Sequence, residues 1–281
     1  MKKNRIKFTI NIAFVFCALN LFAQKDSLHV KNEKQQVYNY NKKFDIPLTS
    51  AAAAISIFNF TQIYSKDRSS ETSILALDVN DVNKFDRGAA GNYNEKAKTT
   101  SDFFFNAAIP LPLIVFAFDD AMRQDYLRLT LLYLETMSIT GVAYSTSQQL
   151  NNRLRPFTYN QDLELSSRTK GGAKNSFYSG HTALVATSTF FLARVYHDYH
   201  PESPYKYVFY GGAGLATFFT GYFRVKAGQH FPTDVIIGGT VGTAIGILVP
   251  FFHKNKLFKN EKLSLYPVTG EYHGLRLAYK F

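Results

Sequence analysis

Apolar residues fall in six long blocks separated by polar stretches, and each block predicts a helix. They run Pro47–Tyr64, Phe103–Phe118, Leu127–Ser145, Ala183–Tyr199, Tyr207–Tyr222 and Val235–Phe252. Most are at or below the roughly 20 residues that a bilayer-crossing helix needs. Pro110 and Pro112 start or kink the second block. Gly211, Gly212 and Gly214 soften the fifth, where small residues would let neighbouring helices approach closely. Only the tail, Lys262–Phe281, alternates apolar and polar residues, around Thr269-Gly270, which predicts a small hairpin. The expected class is all-α, a six-helix bundle with an N-terminal signal segment and a short C-terminal β-hairpin tail.

The flanks divide the chain further. Residues 1–23 read as a secretory signal: a basic start at Lys2, Lys3, Arg5 and Lys7, an apolar run from Ile10 to Phe22, and a break at Ala23-Gln24. An uncleaved anchor helix is the alternative. Residues 24–45 are polar, a linker; 46–253 hold the helical domain; 254–281 are the tail. Between the first two blocks, Asp78, Asp81 and Asp86 invite a calcium-loop reading. They lack the alternation an EF-hand requires, so a capped surface loop is expected instead.

Composition changes the picture in three ways. The net charge of +11 belongs partly to the N-terminus, and the rest reads as a solvated face with lysines flanking a membrane. The basic residues are not gathered on one periodic face, so no nucleic-acid partner is expected. The single cysteine, Cys17, lies in the signal segment, which excludes an internal disulfide and a cysteine nucleophile from a processed chain. Aromatic residues make up 16% of the chain, which asks for a large core or a lipid environment, yet the mean hydropathy is only −0.14. A periplasmic helical bundle therefore stands beside a membrane-associated one. Oligomeric state is left open.

Three polar islands between the later blocks carry the candidate chemistry. The first is Arg155-Pro156, the second Ser179-Gly180-His181, and the third runs from Arg224 through His230 to Asp234. Two arginines supply planar, permanently charged donor forks suited to phosphate oxygens. A Ser-Gly-His turn that opens a helix aims backbone N–H groups at the same anion. Histidine is the side chain best suited to act as nucleophile or proton donor near neutral pH.

In order and spacing these residues resemble the three-part signature of the type 2 phosphatidic acid phosphatase and vanadium-dependent haloperoxidase superfamily, over roughly residues 100–252. Three positions depart: Gln148 stands where that family has lysine, Tyr178 where it has proline, and Phe223 where it has serine. Lys174, Lys226 or Arg153 would be the sources of a replacement charge.

The resemblance implies a six-helix phosphatase bundle that hydrolyses a lipid phosphate or diphosphate without metal or other cofactor. His230 would attack phosphorus, Asp234 would hold its imidazole, and His181 would protonate the leaving oxygen. Arg155, Arg224, Ser179, Gly180 and, more weakly, Gln148 would bind the phosphate. It further implies a bacterial cell envelope location, associated with the membrane and with the site facing the periplasm. A vanadate-dependent haloperoxidase and a non-catalytic phospholipid-binding relative are the other readings. His197, His200, His253 and His273 fall outside the pattern and are expected at the surface.

Overall fold

The computed structural model describes residues 36–255, 263–268 and 274–279. The signal segment, Cys17, His273 and the Thr269-Gly270 turn lie outside the described residues. Seven main helices follow one another: α1 (Lys42–Tyr64), α2 (Glu95–Ala108), α3 (Leu111–Phe118), α4 (Tyr126–Leu150), α5 (Gly180–Tyr199), α6 (Tyr205–Lys226) and α7 (Pro232–His253). Shorter helices at Glu71–Leu75, Asp120–Arg123 and Leu165–Arg168 fill the connections, so the described residues hold more helices than the six apolar blocks foretell.

The boundaries differ from the apolar blocks for local reasons. The second block becomes two helices because Pro110 and Pro112 interrupt it. The first of these starts at Glu95, well ahead of Phe103, because Asn94 caps it: the Asn94 side chain accepts from the Ala97 amide at 2.8 Å. α4 continues past Ser145 to Leu150 and takes Gln148 into its last turn. The final residues of the expected linker are packed. Tyr38 is fully buried, its hydroxyl donates to Asp198 at 2.8 Å, and it pairs with Lys254. At the far end of the chain, Leu263–Val268 and Gly274–Tyr279 pair antiparallel, with Leu263 opposite Tyr279.

α5 is the central rod, with α4, α6 and α7 packed on it, while α1 lies on α4 and α2 on α6. The polarity of the outer helices is turned inside out. α1 buries Asp45, Ala52, Ser56, Asn59 and Ile63, and exposes Phe44, Leu48, Ile55, Ile57 and Phe58. α7 buries Gly238, Gly242 and Gly246, and exposes Ile236, Ile237, Leu248 and Phe252. Large apolar side chains facing outward in numbers suit a hydrocarbon surrounding rather than water. Three helical stretches, Lys42–Tyr64, Glu95–Phe118 and Pro232–His253, are long and apolar enough to cross a membrane.

Inside, hydroxyls and amides tie the rods together. Thr140 bonds Thr187 at 3.0 Å, Tyr133 bonds Ser188 at 2.8 Å, and Asn59 donates to Ser145 at 3.2 Å. Such contacts hold helices together where the hydrophobic effect cannot discriminate one apolar surface from another. The close approach expected at Gly211, Gly212 and Gly214 does not occur there, since nothing lies near those positions. It occurs between α7 and α5, where Gly238, Gly242 and Gly246 lie against the backbone oxygens of Ser179, Ala183 and Thr187.

A leucine at Gly242 would drive its side chain into the Ala183 carbonyl and part these two helices. Gly242→Leu should cost about 3 kcal/mol or more by overpacking. Gly211→Ala, in open space within a helix, should be neutral or stabilising by about 0.5–1 kcal/mol. Thermal unfolding of the two variants in detergent checks the contrast.

Candidate active site

Three loops converge at the starts of α5 and α7, and the Asp234 carboxylate joins them. It is fully buried in the first turn of α7. It accepts from the Ser176 hydroxyl at 2.6 Å, from the Phe231 amide at 2.8 Å, and from the Arg153 guanidinium. Its backbone carbonyl takes the Ser179 amide at 3.0 Å. Arg153 also reaches Asp86 at 2.6 Å and lies over the Phe231 ring at 4.5 Å. It is therefore committed to structure and is no substitute for the lysine replaced by Gln148. Asp86 in turn accepts from the Thr233 amide at 2.9 Å and its hydroxyl at 2.6 Å. Burial alone would raise the Asp86 carboxyl, but bonds from Thr233, Asn83 and Arg153 outweigh it and hold the group below its usual range.

His230 sits just ahead of α7 and is almost fully buried. Its Nδ1 lies 2.7 Å from the Ser176 carbonyl. A carbonyl only accepts, so Nδ1 carries the proton and Nε2 keeps its lone pair. The partner expected at Nδ1 was Asp234; the structure puts the Ser176 carbonyl there and has Asp234 grip the hydroxyl of the same serine. Burial, then the charges of Arg155 and Arg224, hold His230 well below the ordinary histidine value, so it is neutral near pH 7.

His181 lies in the first turn of α5, its Nε2 3.1 Å from an Asp102 oxygen and its ring 4.6 Å from that of Phe105. Asp102, on α2, also receives Arg224 at 3.2 Å. This carboxylate was not foreseen. The only cue in the sequence is a polar Ser101-Asp102 pair directly ahead of an apolar block, which marks a helix entry as readily as a site.

Arg155 and Arg224 complete the cluster. Arg155 donates to the Asn175 carbonyl at 3.2 Å and to the Gln229 side chain, both neutral partners. Arg224 is buried, and its Nε finds no acceptor among the described residues. Both guanidiniums and both imidazoles stand close enough for their charges to act on one another. Ser179 caps α5 and is buried, its hydroxyl paired with that of Thr182 at 2.9 Å. Gly180 opens the helix where a Cβ would come within 2.6 Å of the Tyr144 ring, so only glycine fits.

Gln148 is buried and donates to the Tyr178 carbonyl at 2.8 Å, bracing the loop that leads to Ser179. Lys66 binds the Gln148 carbonyl at 2.6 Å, closing the end of α4. Lys226 is exposed. The three described histidines expected at the surface are instead partly buried: His197 lies against the Tyr210 ring, His200 pairs with Asp119 at 2.9 Å, and His253 joins a carboxylate cluster far along α7. The arrangement offers one neutral imidazole with a free Nε2, a second imidazole on a carboxylate, and two arginines with spare donors.

Removing the Arg153 side chain would leave Asp86 and Asp234 buried without their cation. Arg153→Ala should cost about 3–5 kcal/mol of stability, read as a lowered unfolding temperature.

Residues 129–258 match the family model of the PAP2 superfamily. A lipid A 1-phosphatase of Porphyromonas gingivalis is 32% identical over 108 residues, which is 38% of this chain and 22% of that protein. The match thus spans about a fifth of the relative's length. Among solved structures, LpxE of Aquifex aeolicus is 24% identical and aligns with a TM-score of 0.39, covering 58% of this chain and 90% of that one. A transmembrane PAP2-type phosphatidylglycerolphosphate phosphatase of Bacillus subtilis is 20% identical with a TM-score of 0.43, covering 75% of this chain and 92% of that one.

Proposed function

We propose, from the match of residues 129–258 to the PAP2 superfamily model, that the protein is a member of that superfamily and a membrane phosphatase acting on a lipid-borne phosphate or diphosphate. The observation that carries this reading is the surplus of buried positive charge. Two guanidiniums converge with two imidazoles, one arginine has only neutral partners, and the other keeps an unpaired N–H. A small anion would satisfy that donor and relieve the repulsion between the arginines.

The chemistry follows from the two imidazoles. His230 attacks phosphorus through Nε2; the bond from phosphorus to the leaving oxygen breaks, and His181 gives that oxygen its proton. Water, losing a proton to His181, then attacks the phosphohistidine, which releases phosphate and returns His230 to its neutral form. Arg155, Arg224 and the N–H groups at the start of α5, opened by Ser179-Gly180, hold the equatorial oxygens. Gln148 would contribute by fixing the loop before Ser179 rather than by supplying charge.

A groove of about 760 Å³ between α5, α6 and α7 supports a lipid substrate. Thr182, Val225 and Pro232 line it and are chain neighbours of His181, Arg224 and Phe231; Phe190, Phe218 and Ile236 continue it as an apolar trough. An acyl or prenyl chain would lie there with its phosphate among the arginines. The outward apolar faces of α6 and α7 would bring this groove within reach of the bilayer. The site would open to the periplasm, which puts the loop Phe157–Asn175 where protease added to intact cells can cut it.

His230→Ala should abolish phosphate release from phosphatidate, an isoprenoid diphosphate and lipid A alike, while the variant keeps its unfolding temperature. A folded variant that still releases phosphate would end the proposal. The pH profile adds a sign. The neutral form of His230 is the reactive one, so the acid limb of kcat/KM should lie below pH ~6.5. Removing a nearby cation raises His230, so Arg155→Gln should move that limb upward on the same substrate.

A further inference from the structure

The end of the bundle remote from the histidines holds a second cluster that the phosphatase reading does not use. Asp45 in the first turn of α1, Glu135 midway along α4 and His253 at the end of α7 offer ligand atoms that all lie within 4.8 Å of one another. α7 begins at the proposed site and runs 22 residues to His253, so the two centres stand about 30 Å apart. We propose that Asp45, Glu135 and His253 form a binding site for one divalent transition ion of the zinc class.

Four observations support it. First, the imidazole is set up as a ligand: its Nδ1 faces the Val249 carbonyl at 2.8 Å, so that nitrogen carries the proton and Nε2 presents a lone pair to both carboxylates. Second, the two spacings from the imidazole fit. His253 Nε2 is 3.6 Å from an oxygen of Asp45 and 3.6 Å from one of Glu135. That is too long for a hydrogen bond. Nitrogen and oxygen ligands about 2.0–2.2 Å from a tetrahedral ion lie about 3.3–3.6 Å from each other. Third, Glu135 is 1% exposed and its Oε2 has no hydrogen-bond partner among the described residues. A buried carboxylate oxygen left so is costly unless something cationic takes it. Fourth, the ammonium that lines the same cavity is spent elsewhere, since Lys254 binds Asp198 at 2.6 Å. Two buried carboxylates thus face one imidazole.

There is room and a route. A cavity of about 520 Å³ opens onto the cluster, lined by Asn39, Asn41 and Lys254 as well as the three ligands. An ion there, completed by water, would pin the start of α1 to α4 and to the end of α7. The cluster joins elements distant in sequence, as a structural ion does, and lies away from the proposed chemistry.

The test uses the purified full chain in detergent, stripped with chelator and dialysed against zinc(II), with calcium(II) as comparator. One tightly held zinc per chain is expected, with a rise of several degrees in unfolding temperature. Both should be lost in Glu135→Gln and in His253→Ala, and both kept in His230→Ala, which removes a histidine from the other centre. Glu135→Gln is nearly the same size, so retained phosphate release by that variant would show that it folds. Wild-type protein that binds no more zinc than the Glu135→Gln variant, or that prefers calcium, would overturn the assignment and leave a proton-sharing ion cluster in its place.

Discussion

The Asp234 carboxylate is the constraint from which the arrangement of the candidate site follows. Through its carboxylate and its backbone carbonyl, Asp234 bonds to the loops of all three polar islands: Arg153 just ahead of the first, Ser176 and the Ser179 amide leading into the second, Phe231 in its own. Each of those bonds fixes something different. The Ser176 bond places the carbonyl that sets the His230 tautomer, and the Ser179 bond places the start of α5. The Phe231 bond closes the first turn of α7. A buried carboxylate with three such partners, on a residue whose carbonyl takes a fourth, is stable only as a complete set, since losing any one leaves a buried charge or dipole unsatisfied. The loops are therefore positioned together or not at all.

The helices that carry those loops obey a different rule. On α7, as on α1, small or polar residues point inward and large apolar ones outward, so burial of large apolar side chains does not select how these helices pack. Backbone contact along the glycine stripe of α7 and hydroxyl pairs such as Thr140–Thr187 do it instead. The consequence reaches the site directly, because the first residue touched by the glycine stripe is Ser179. How closely α7 approaches α5 sets how close His230 stands to His181.

What could be read in advance, and what could not, separates along the same line. The helices were legible because apolar blocks of fixed length leave little choice of element, and the islands because their residues keep short, regular spacings within one segment. Asp102, Asp86 and the Ser176 carbonyl were not. The first two are single carboxylates in stretches whose composition equally suits a helix cap, and they gain meaning only from Arg224, His181 or Arg153 far along the chain. The Ser176 carbonyl is a backbone group, invisible to any argument from residue type. The expected Asp234–His230 pair failed for a related reason. Four residues apart at a helix start they share a face, but sharing a face does not decide which acceptor the ring meets first. Gln148 illustrates the reverse case, a position marked by its difference whose side chain turns to the Tyr178 carbonyl.

The two imidazoles are given unequal partners, and under the proposed mechanism that inequality would make an acid and a nucleophile from one residue type. His230 gives its Nδ1 proton to a carbonyl, with two guanidiniums nearby, and both influences oppose a second proton. His181 meets a carboxylate at the edge of the cluster, where Asp102 stabilises an imidazolium against the effect of burial. An entering phosphate would change the balance at both rings, because its negative charge offsets the arginines that face them. In the proposed mechanism, the field that would keep His230 free to attack is thus the one that would draw the anion in. With the anion bound, that field would no longer oppose the proton that His181 would deliver.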